Sequence, residues 1–274
     1  MKRLLVVFFV LILMASCTNN NKDAEIIKTP ITPDNFVPSL DYNIVCRLPH
    51  DTTSFTEGLF FHDQQLFEST GSPENLPQTK SVFGIVNLKT GKIDKKAELD
   101  RSVYFGEGIV LLKNKIYQLT YKNQIGFIYD SKTYKQLGRF SYKNKEGWAL
   151  TTDGTSLIMS DGTNTLTYLN SENLKVLKTL NVSNGGYAED YLNELEYING
   201  YIYANIWTKN YIVKIDPKDG KVVGLLDLSS LTDEAKTKNP NSDVINGIAF
   251  DSISNKIYVT GKLWPNIYQI EFPH

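Results

Sequence analysis

Residues 105–120 read FGEGIVLLKNKIYQLT, and this stretch decides the fold because it contains two short apolar runs on either side of a polar turn. The pair Glu107-Gly108 opens the first run, and Lys113-Asn114 forms the turn. Short runs rich in Ile, Val and Tyr between polar turns are typical of antiparallel strands. The stretch therefore predicts a β-hairpin.

The same order of features occurs five times along the chain. The repeats begin at Glu57, Glu107, Glu146, Glu194 and Asn246. Each repeat contains three or four short strands and has the length of a propeller blade, roughly 40 to 50 residues. The sequence therefore predicts an all-β fold, a five-bladed β-propeller.

The ring is predicted to close through a strand from the N-terminal side. The fifth repeat ends at Phe272 and leaves no room for an outer strand, whereas residues 42–48 form a lone apolar run before the first repeat. This run can complete the last blade, which removes two exposed sheet edges. The remaining loops are predicted to hold only one short helical turn, at residues 231–238.

The first residues are predicted to be an export signal. Lys2 and Arg3 precede an apolar run at residues 4–14, and Ala15-Ser16-Cys17 follows. The run is shorter than the ~20 residues of a membrane-spanning helix, and its small-small-Cys ending resembles the bacterial lipoprotein signal; the alternative is an ordinary secretory peptide. We expect residues 1–16 to be the signal peptide, residues 17–39 the lipidated Cys17 and a flexible tether, and residues 40–274 the catalytic propeller. The expected location is the cell envelope, on the periplasmic side or at the outer membrane.

The charge and the cysteine content exclude several function classes. The chain has 29 basic and 30 acidic residues, so it has no general attraction to nucleic acid or acidic lipid. We expect a monomer that contacts the membrane only through its lipid. Once Cys17 is lipidated, Cys46 is alone and the three histidines are scattered, so no zinc set is visible. We expect neither a metal nor another cofactor.

Aligning the five repeats predicts a ring of polar side chains at one mouth of the central channel. The shared position, at the start of each innermost strand, holds Glu57, Glu107, Glu146, Glu194 and Asn246. The acids could simply cap turns. Alternatively, they could hold a hard cation such as calcium, or bind a cationic substrate group and move protons.

The neighbouring residues favour the last interpretation. Phe55, Phe105, Trp148 and Trp207 lie at the same edge or one strand away, and Lys262 ends the second strand of the fifth repeat. A hard-cation site needs no aromatic wall, and a lysine would oppose the cation. The pattern therefore predicts a site that binds a cationic group of the substrate and moves protons.

Several short motifs, taken in their order along the chain, resemble those of the plant and bacterial type of glutaminyl-peptide cyclotransferase. They include Phe55-Thr56-Glu57-Gly58, Phe105-Gly106-Glu107-Gly108, Leu192-Asn193-Glu194-Leu195, Ala204-Asn205-Ile206-Trp207 and Thr260-Gly261-Lys262. The resemblance covers residues 55–270. It implies a five-bladed propeller that converts the N-terminal glutamine of peptides and proteins to pyroglutamate and releases ammonia, without zinc.

The resemblance also implies roles for individual residues. It makes Glu107, Lys262 and Asn193 catalytic, with Glu107 as the principal acid/base. The substrate-binding set predicted from the resemblance and the aligned ring together is Phe55, Glu57, Phe105, Tyr121, Trp148, Trp207, Glu146, Glu194 and Asn246. Glu57 stands where the family usually has Gln, and Tyr121 where it usually has Trp. A metal-dependent, lactonase-like propeller hydrolase and a propeller that only binds peptides or glycans are the alternatives.

Overall fold

Five four-stranded antiparallel sheets make up most of residues 36–274, the part of the chain that this computed structural model describes. A first strand, β1 (Asn43–Pro49), precedes the blades. Blade 1 contains β2 (Phe55–His62), β3 (Gln65–Gly71), β4 (Val82–Val86) and β5 (Ile93–Glu98). Blade 2 contains β6 (Gly106–Leu112), β7 (Lys115–Thr120), β8 (Ile125–Asp130) and β9 (Gln136–Ser141). Blade 3 contains β10 (Leu150–Thr152), β11 (Ser156–Met159), β12 (Thr165–Asn170) and β13 (Val176–Asn181).

Between blades 3 and 4 lies a short hairpin of β14 (Ser183–Asn184) and β15 (Tyr187–Ala188). Blade 4 contains β16 (Leu192–Ile198), β17 (Tyr201–Ile206), β18 (Tyr211–Ile215) and β19 (Val222–Asp227). One helix follows, α1 (Ser229–Lys238). Blade 5 contains β20 (Ile245–Asp251), β21 (Lys256–Gly261), β22 (Asn266–Glu271) and, as its outer strand, β1.

The closure of the ring is confirmed. β1 pairs antiparallel with β22, and the register joins Ile44 to Ile270 and Leu48 to Ile267. The first and last strands of the propeller therefore pair within one sheet, so neither is left without a partner strand.

The apolar core lies between neighbouring blades. Between blades 1 and 2, for example, Phe67 and Phe83 pack in one cluster with Ile116 and Tyr129, and all four are buried. Burying one such large side chain contributes roughly 1.5–3 kcal/mol. Alternating apolar residues on each blade face thus hold the blades together.

The innermost strands of adjacent blades approach one another closely at the channel. A Cβ atom on Gly58 would lie 2.9 Å from the backbone nitrogen of Ile109, and one on Gly108 would collide with the backbone of Ala149. Only glycine fits there, which explains why a glycine follows the glutamate in both Glu57-Gly58 and Glu107-Gly108.

The helix α1 is longer than the single turn predicted at residues 231–238. It covers Ser229–Lys238 and buries Leu231 and Ala235, which lie one turn apart, against the fifth blade and the closing strand. On the outer side, Arg47 of β1 donates to Glu234 at 2.8 Å. The helix therefore reinforces the closure of the ring.

The N-terminal predictions fall mostly outside the described residues. The predicted signal peptide, Cys17 and all but the last four residues of the predicted tether lie there. Within the described part, Leu40 donates to the carbonyl of Leu225 at 2.7 Å, and Leu225 donates to Pro38 at 2.9 Å. The end of the predicted tether therefore lies along β19. No helix within residues 36–274 is long and apolar enough to cross a membrane.

Candidate active site

A cavity of about 270 Å³ opens at the end of the ring where the innermost strands begin. Its walls come from those strand starts, from the ends of the second strands and from neighbouring loops, so all five blades contribute to it. The residues that line it are Phe55, Glu57, Pro73, Phe105, Glu107, Tyr121, Trp148, Asn193, Trp207, Asp243 and Lys262. The structure thus brings together all three predicted catalytic residues and six of the nine predicted substrate-binding residues.

The predicted register of the ring was wrong in two blades. Gly106 pairs with Thr120 just before a bulge in β6, and Leu192 pairs with Ile206 just before the equivalent bulge in β16. Glu107 directly follows Gly106, and Asn193 directly follows Leu192. Asn193, not Glu194, therefore shares the position of Glu107. A β-strand alternates its faces, so an error of one residue moves a side chain to a different environment.

Blade 3 shows the same kind of difference. Its strand β10 lies beside β6, and Gly108 donates to the carbonyl of Trp148 at 2.9 Å. Trp148 therefore lies opposite the Glu107-Gly108 step, and Glu146 precedes it by two residues. The shared position holds Glu57, Glu107, Trp148, Asn193 and Asn246 rather than four acids and an amide.

Glu194 does not line the cavity. Its carboxylate is fully buried and accepts hydrogen bonds from the backbone of Leu59, at 3.1 Å, and of Ile248, at 2.8 Å. These N–H groups belong to the innermost strands of blades 1 and 5, whose inner edges have no further strand to pair with. Burial, and then the nearby Glu196, raise the pKa of Glu194 well above its ordinary value. Glu194 therefore provides hydrogen-bond acceptors for backbone N–H groups at the inner edges of these two strands.

Asn246 and Glu146 lie beside the cavity rather than in its wall. Asn246 is buried, and its side-chain amide donates to the carbonyl of Thr56 at 2.9 Å and to Glu57 Oε2 at 3.1 Å. Glu146 is half-buried at the rim, where it accepts from Trp148 Nε1 at 2.9 Å. Both residues therefore position side chains that do line the cavity.

An ion pair and a second carboxyl form the polar wall of the cavity. Lys262 Nζ lies 2.8 Å from each carboxylate oxygen of Glu57, and 4.6 Å from the centre of the Phe55 ring. The Glu57 and Glu107 carboxyl groups line the same cavity from adjacent inner strands, where the following residues Gly58 and Gly108 pack closely, and each carboxyl group acts on the other. All three charged groups are less than 10% exposed.

Burial and like charge raise the pKa values of both acids. Burial raises the pKa of Glu57 to about 7, although the Lys262 ammonium opposes this. Burial, followed by the neighbouring Glu57, raises the pKa of Glu107 well above its usual range, and Lys262 offsets this only in part. A carboxyl group with such a pKa can both accept and donate a proton near neutral pH.

Aromatic side chains form the rest of the wall. Phe55 and Phe105 meet edge to face with ring centres 6.2 Å apart, and Trp148 meets Trp207 in the same way at 5.8 Å. Burial, together with Glu146 and Glu107, raises the pKa of Tyr121 to about 12, so its phenol is neutral. The cavity combines a charged wall with an apolar wall that fits the methylene groups of a small side chain.

Sequence reasoning missed two lining residues, Pro73 and Asp243. Asp243 lies in the loop that leads into β20, the same inter-blade location from which Phe55 and Phe105 enter their strands, so loop position was the available signal. Pro73 lies in the long loop after β3. Neither residue belongs to a repeated word.

The donor set does not favour a metal site. Within residues 36–274, no group of three or more His, Cys, Asp or Glu side chains is arranged to hold a metal ion. The Lys262 ammonium also lies in the cavity wall, 2.8 Å from Glu57, where it would repel a cation.

Three comparisons with known proteins give matches of the same kind. A family model described as glutamine cyclotransferase matches residues 9–272. A glutaminyl-peptide cyclotransferase of Arabidopsis thaliana is 40% identical over 233 residues, which are 84% of this chain and 71% of that protein. The crystal structure of the glutaminyl cyclase of Myxococcus xanthus matches with a TM-score of 0.77 and 31% identity, over 86% of this chain and 98% of that one.

Proposed function

This chain belongs to the glutamine cyclotransferase family, and we propose that its cavity converts the N-terminal glutamine of a peptide to pyroglutamate with release of ammonia. The observation that carries this proposal is the set of Glu107, Lys262 and Asn193 in one aromatic-walled cavity. The cavity is open at the mouth of the channel, so a peptide chain can extend from it into solvent.

The reaction needs one bond to form, one to break and one proton to move. The α-amine attacks the carbon of the side-chain amide, and the nitrogen of that amide leaves as ammonia. The free amine has a pKa of about 7.7–8.0, so a substantial neutral fraction exists near neutral pH. Glu107 takes the proton from the attacking nitrogen and delivers one to the leaving nitrogen, which suits a buried carboxyl with a raised pKa.

Lys262 and Asn193 stabilise the amide oxygen as it becomes negative. Both are buried and line the same cavity as Glu107. Donors held in place in a partly dry site stabilise developing charge more than water does. The paired rings of Phe55 and Phe105, and of Trp148 and Trp207, hold the side chain folded back towards its own amine. Such intramolecular attack gains most from orientation.

Ammonia release from a peptide that begins with glutamine tests this function. We expect the purified protein to release one ammonia per pyroglutamate formed, and to do so equally after dialysis against EDTA. The matched control is the same peptide with an acetylated α-amine, which has no nucleophile. Binding without ammonia release would favour a peptide-binding propeller, and activity that EDTA removes and calcium restores would favour a metal-dependent hydrolase.

We also propose that the protein is exported and held at the cell envelope by a lipid on Cys17. The support is the sequence of the first 17 residues, which lie outside the described part of the structure. We expect labelled palmitate to enter the wild-type protein but not the Cys17→Ala variant, which should appear in the soluble fraction. Equal labelling of the two proteins would contradict the proposal.

A further inference from the structure

The contacts of Glu57 exceed what a substrate-binding side chain needs. One face of its carboxylate accepts from Lys262 at 2.8 Å, and Oε2 also accepts from Asn246 at 3.1 Å. Glu107 lines the same cavity from the adjacent inner strand, where Gly58 and Gly108 bring the two strands into close contact. The side chain is almost completely buried, so water does not compete for these contacts.

Two carboxylates that face one buried cavity from adjacent strands cannot both be ionised without a large electrostatic cost. Such pairs hold a proton between them, which raises the pKa of one member strongly. The two strong donors on Glu57 favour its ionised form, so the proton resides mainly on Glu107, which then donates to Glu57. The raised pKa values of both groups agree with this arrangement.

We propose that Glu57 and Glu107 share one proton at rest, and that this carboxyl pair, rather than Glu107 alone, is the proton carrier of the cyclisation, with Glu57 as a positioning residue that acts through Glu107. The role in cyclisation rests on the proposed function. The pair donates the proton it already holds to the leaving amide nitrogen, and recovers one from the nitrogen that attacked. Its charge is therefore the same before and after turnover.

Five other ionisable groups act electrostatically on the carboxyl pair. The groups that act electrostatically on Glu57 or Glu107 from neighbouring elements are Lys262 after β21, Asp243 before β20, Glu146 before β10, Tyr121 after β7 and Tyr142 after β9. Burial raises the pKa values of both tyrosines, so they carry no charge near neutral pH. Lys262 is the one basic group among them, and it contacts Glu57 directly.

The substitution Glu57→Gln tests the shared proton because the amide keeps the shape but cannot ionise. Its oxygen can still accept from Lys262 and Asn246, while its NH₂ group can donate to Glu107 and stabilise the ionised carboxylate. We expect the pKa of Glu107 to fall by about one unit or more, since the like charge is gone. The matched control is Glu196→Gln, the same change at a buried acid outside the cavity, whose own pKa burial raises to about 8.

Two measurements decide the matter. The first is a ¹³C NMR titration of the glutamate carboxyl carbons in the protein without substrate. The second is the pH profile of kcat/KM, whose alkaline limb should reflect loss of the shared proton and is not affected by the substrate amine, which is neutral there. In Glu57→Gln, both the Glu107 titration and the alkaline limb should move to lower pH by about one unit or more, and in Glu196→Gln neither should move.

The possible failures are distinguishable. A Glu107 titration that is unchanged in Glu57→Gln would overturn the shared proton, whether or not the protein cyclises glutamine. If the pKa of Glu107 falls in Glu57→Gln while the alkaline limb of kcat/KM does not move, the pair is not the proton carrier of the reaction. If the wild type released no ammonia, the proposed function would fail and the NMR titration would still decide whether the proton is shared.

Discussion

At the scale of single residues, the buried pair His50 and Glu68 holds the start of blade 1 to blade 5. His50 Nε2 donates to Glu68 at 3.0 Å, and Nδ1 donates to the carbonyl of Trp264 at 2.9 Å. Both ring nitrogens thus face hydrogen-bond acceptors, and this arrangement favours the doubly protonated imidazolium. Neither side chain is exposed, and His50 directly follows the closing strand β1. The pair therefore stabilises the connection between the closing strand β1 and blade 1.

The stability that this pair contributes depends on pH. Burial disfavours the charged ring, but the Glu68 carboxylate and the hydrogen bonds outweigh it and raise the pKa of His50 above its ordinary value of 6.5. A raised pKa in the folded state means that the contribution is complete below about pH 6.5 and is lost as the pH rises through the folded-state pKa.

We predict that His50→Gln lowers the free energy of unfolding by about 3–5 kcal/mol, because it leaves the Glu68 charge buried without its partner. Urea denaturation at several pH values measures this. The control His62→Gln lies at the surface and should change stability by less than about 0.5 kcal/mol.

The double variant His50→Gln/Glu68→Gln has no titrating group at this site and serves as the reference for pH. The advantage of the wild type over it should shrink above pH ~6.5, as the imidazolium loses its proton. An advantage that stays constant or grows with pH would contradict the imidazolium assignment.

At the scale of elements, the repeat predicted the blades well because each hairpin carries its own local signal. Alternating apolar residues and polar turns indicated the strands, and the missing outer strand after Phe272 indicated the role of β1. These features depend on neighbouring residues, which a single sequence shows directly.

The register of the innermost strands could not be predicted in the same way. Each bulge inserts one residue, and its position is decided by contact between blades, as at Gly108 against Ala149. The glutamates of blades 3 and 4 suggested an alignment that strand pairing does not follow: Trp148 and Asn193 hold the position instead of Glu146 and Glu194. Nothing in the sequences Glu146-Gly147 and Glu194-Leu195 indicates this difference in register.

The helix α1 was underestimated for a related reason. Its ten residues, SSLTDEAKTK, are mostly polar, so its apolar stripe consists of little more than Leu231 and Ala235. A short polar helix is marginal by itself. Packing against β1 and the ion pair between Arg47 and Glu234 stabilise it, and neither contact is visible from local sequence.

At the scale of the whole molecule, ring closure gives the cavity its rigidity. Residues from five blades, far apart in sequence, must be held in place for Glu107, Lys262 and Asn193 to act on one substrate. The sequence and the family resemblance predicted nearly all of these residues, since they lie at repeated strand ends. They did not predict the interaction between Glu57 and Glu107, which requires the distance between two adjacent inner strands.

The central claim is that Glu107 carries the proton in this cavity, and the steady-state rate of ammonia release by Glu107→Gln tests it most directly. The change keeps the shape of the side chain, so the variant should fold with an unchanged circular dichroism spectrum. We predict that kcat/KM for a glutamine-initiated peptide falls on the order of 100-fold or more, while Glu196→Gln, made in parallel, stays close to the wild type. A folded Glu107→Gln protein that cyclises the peptide at nearly the wild-type rate would contradict the account.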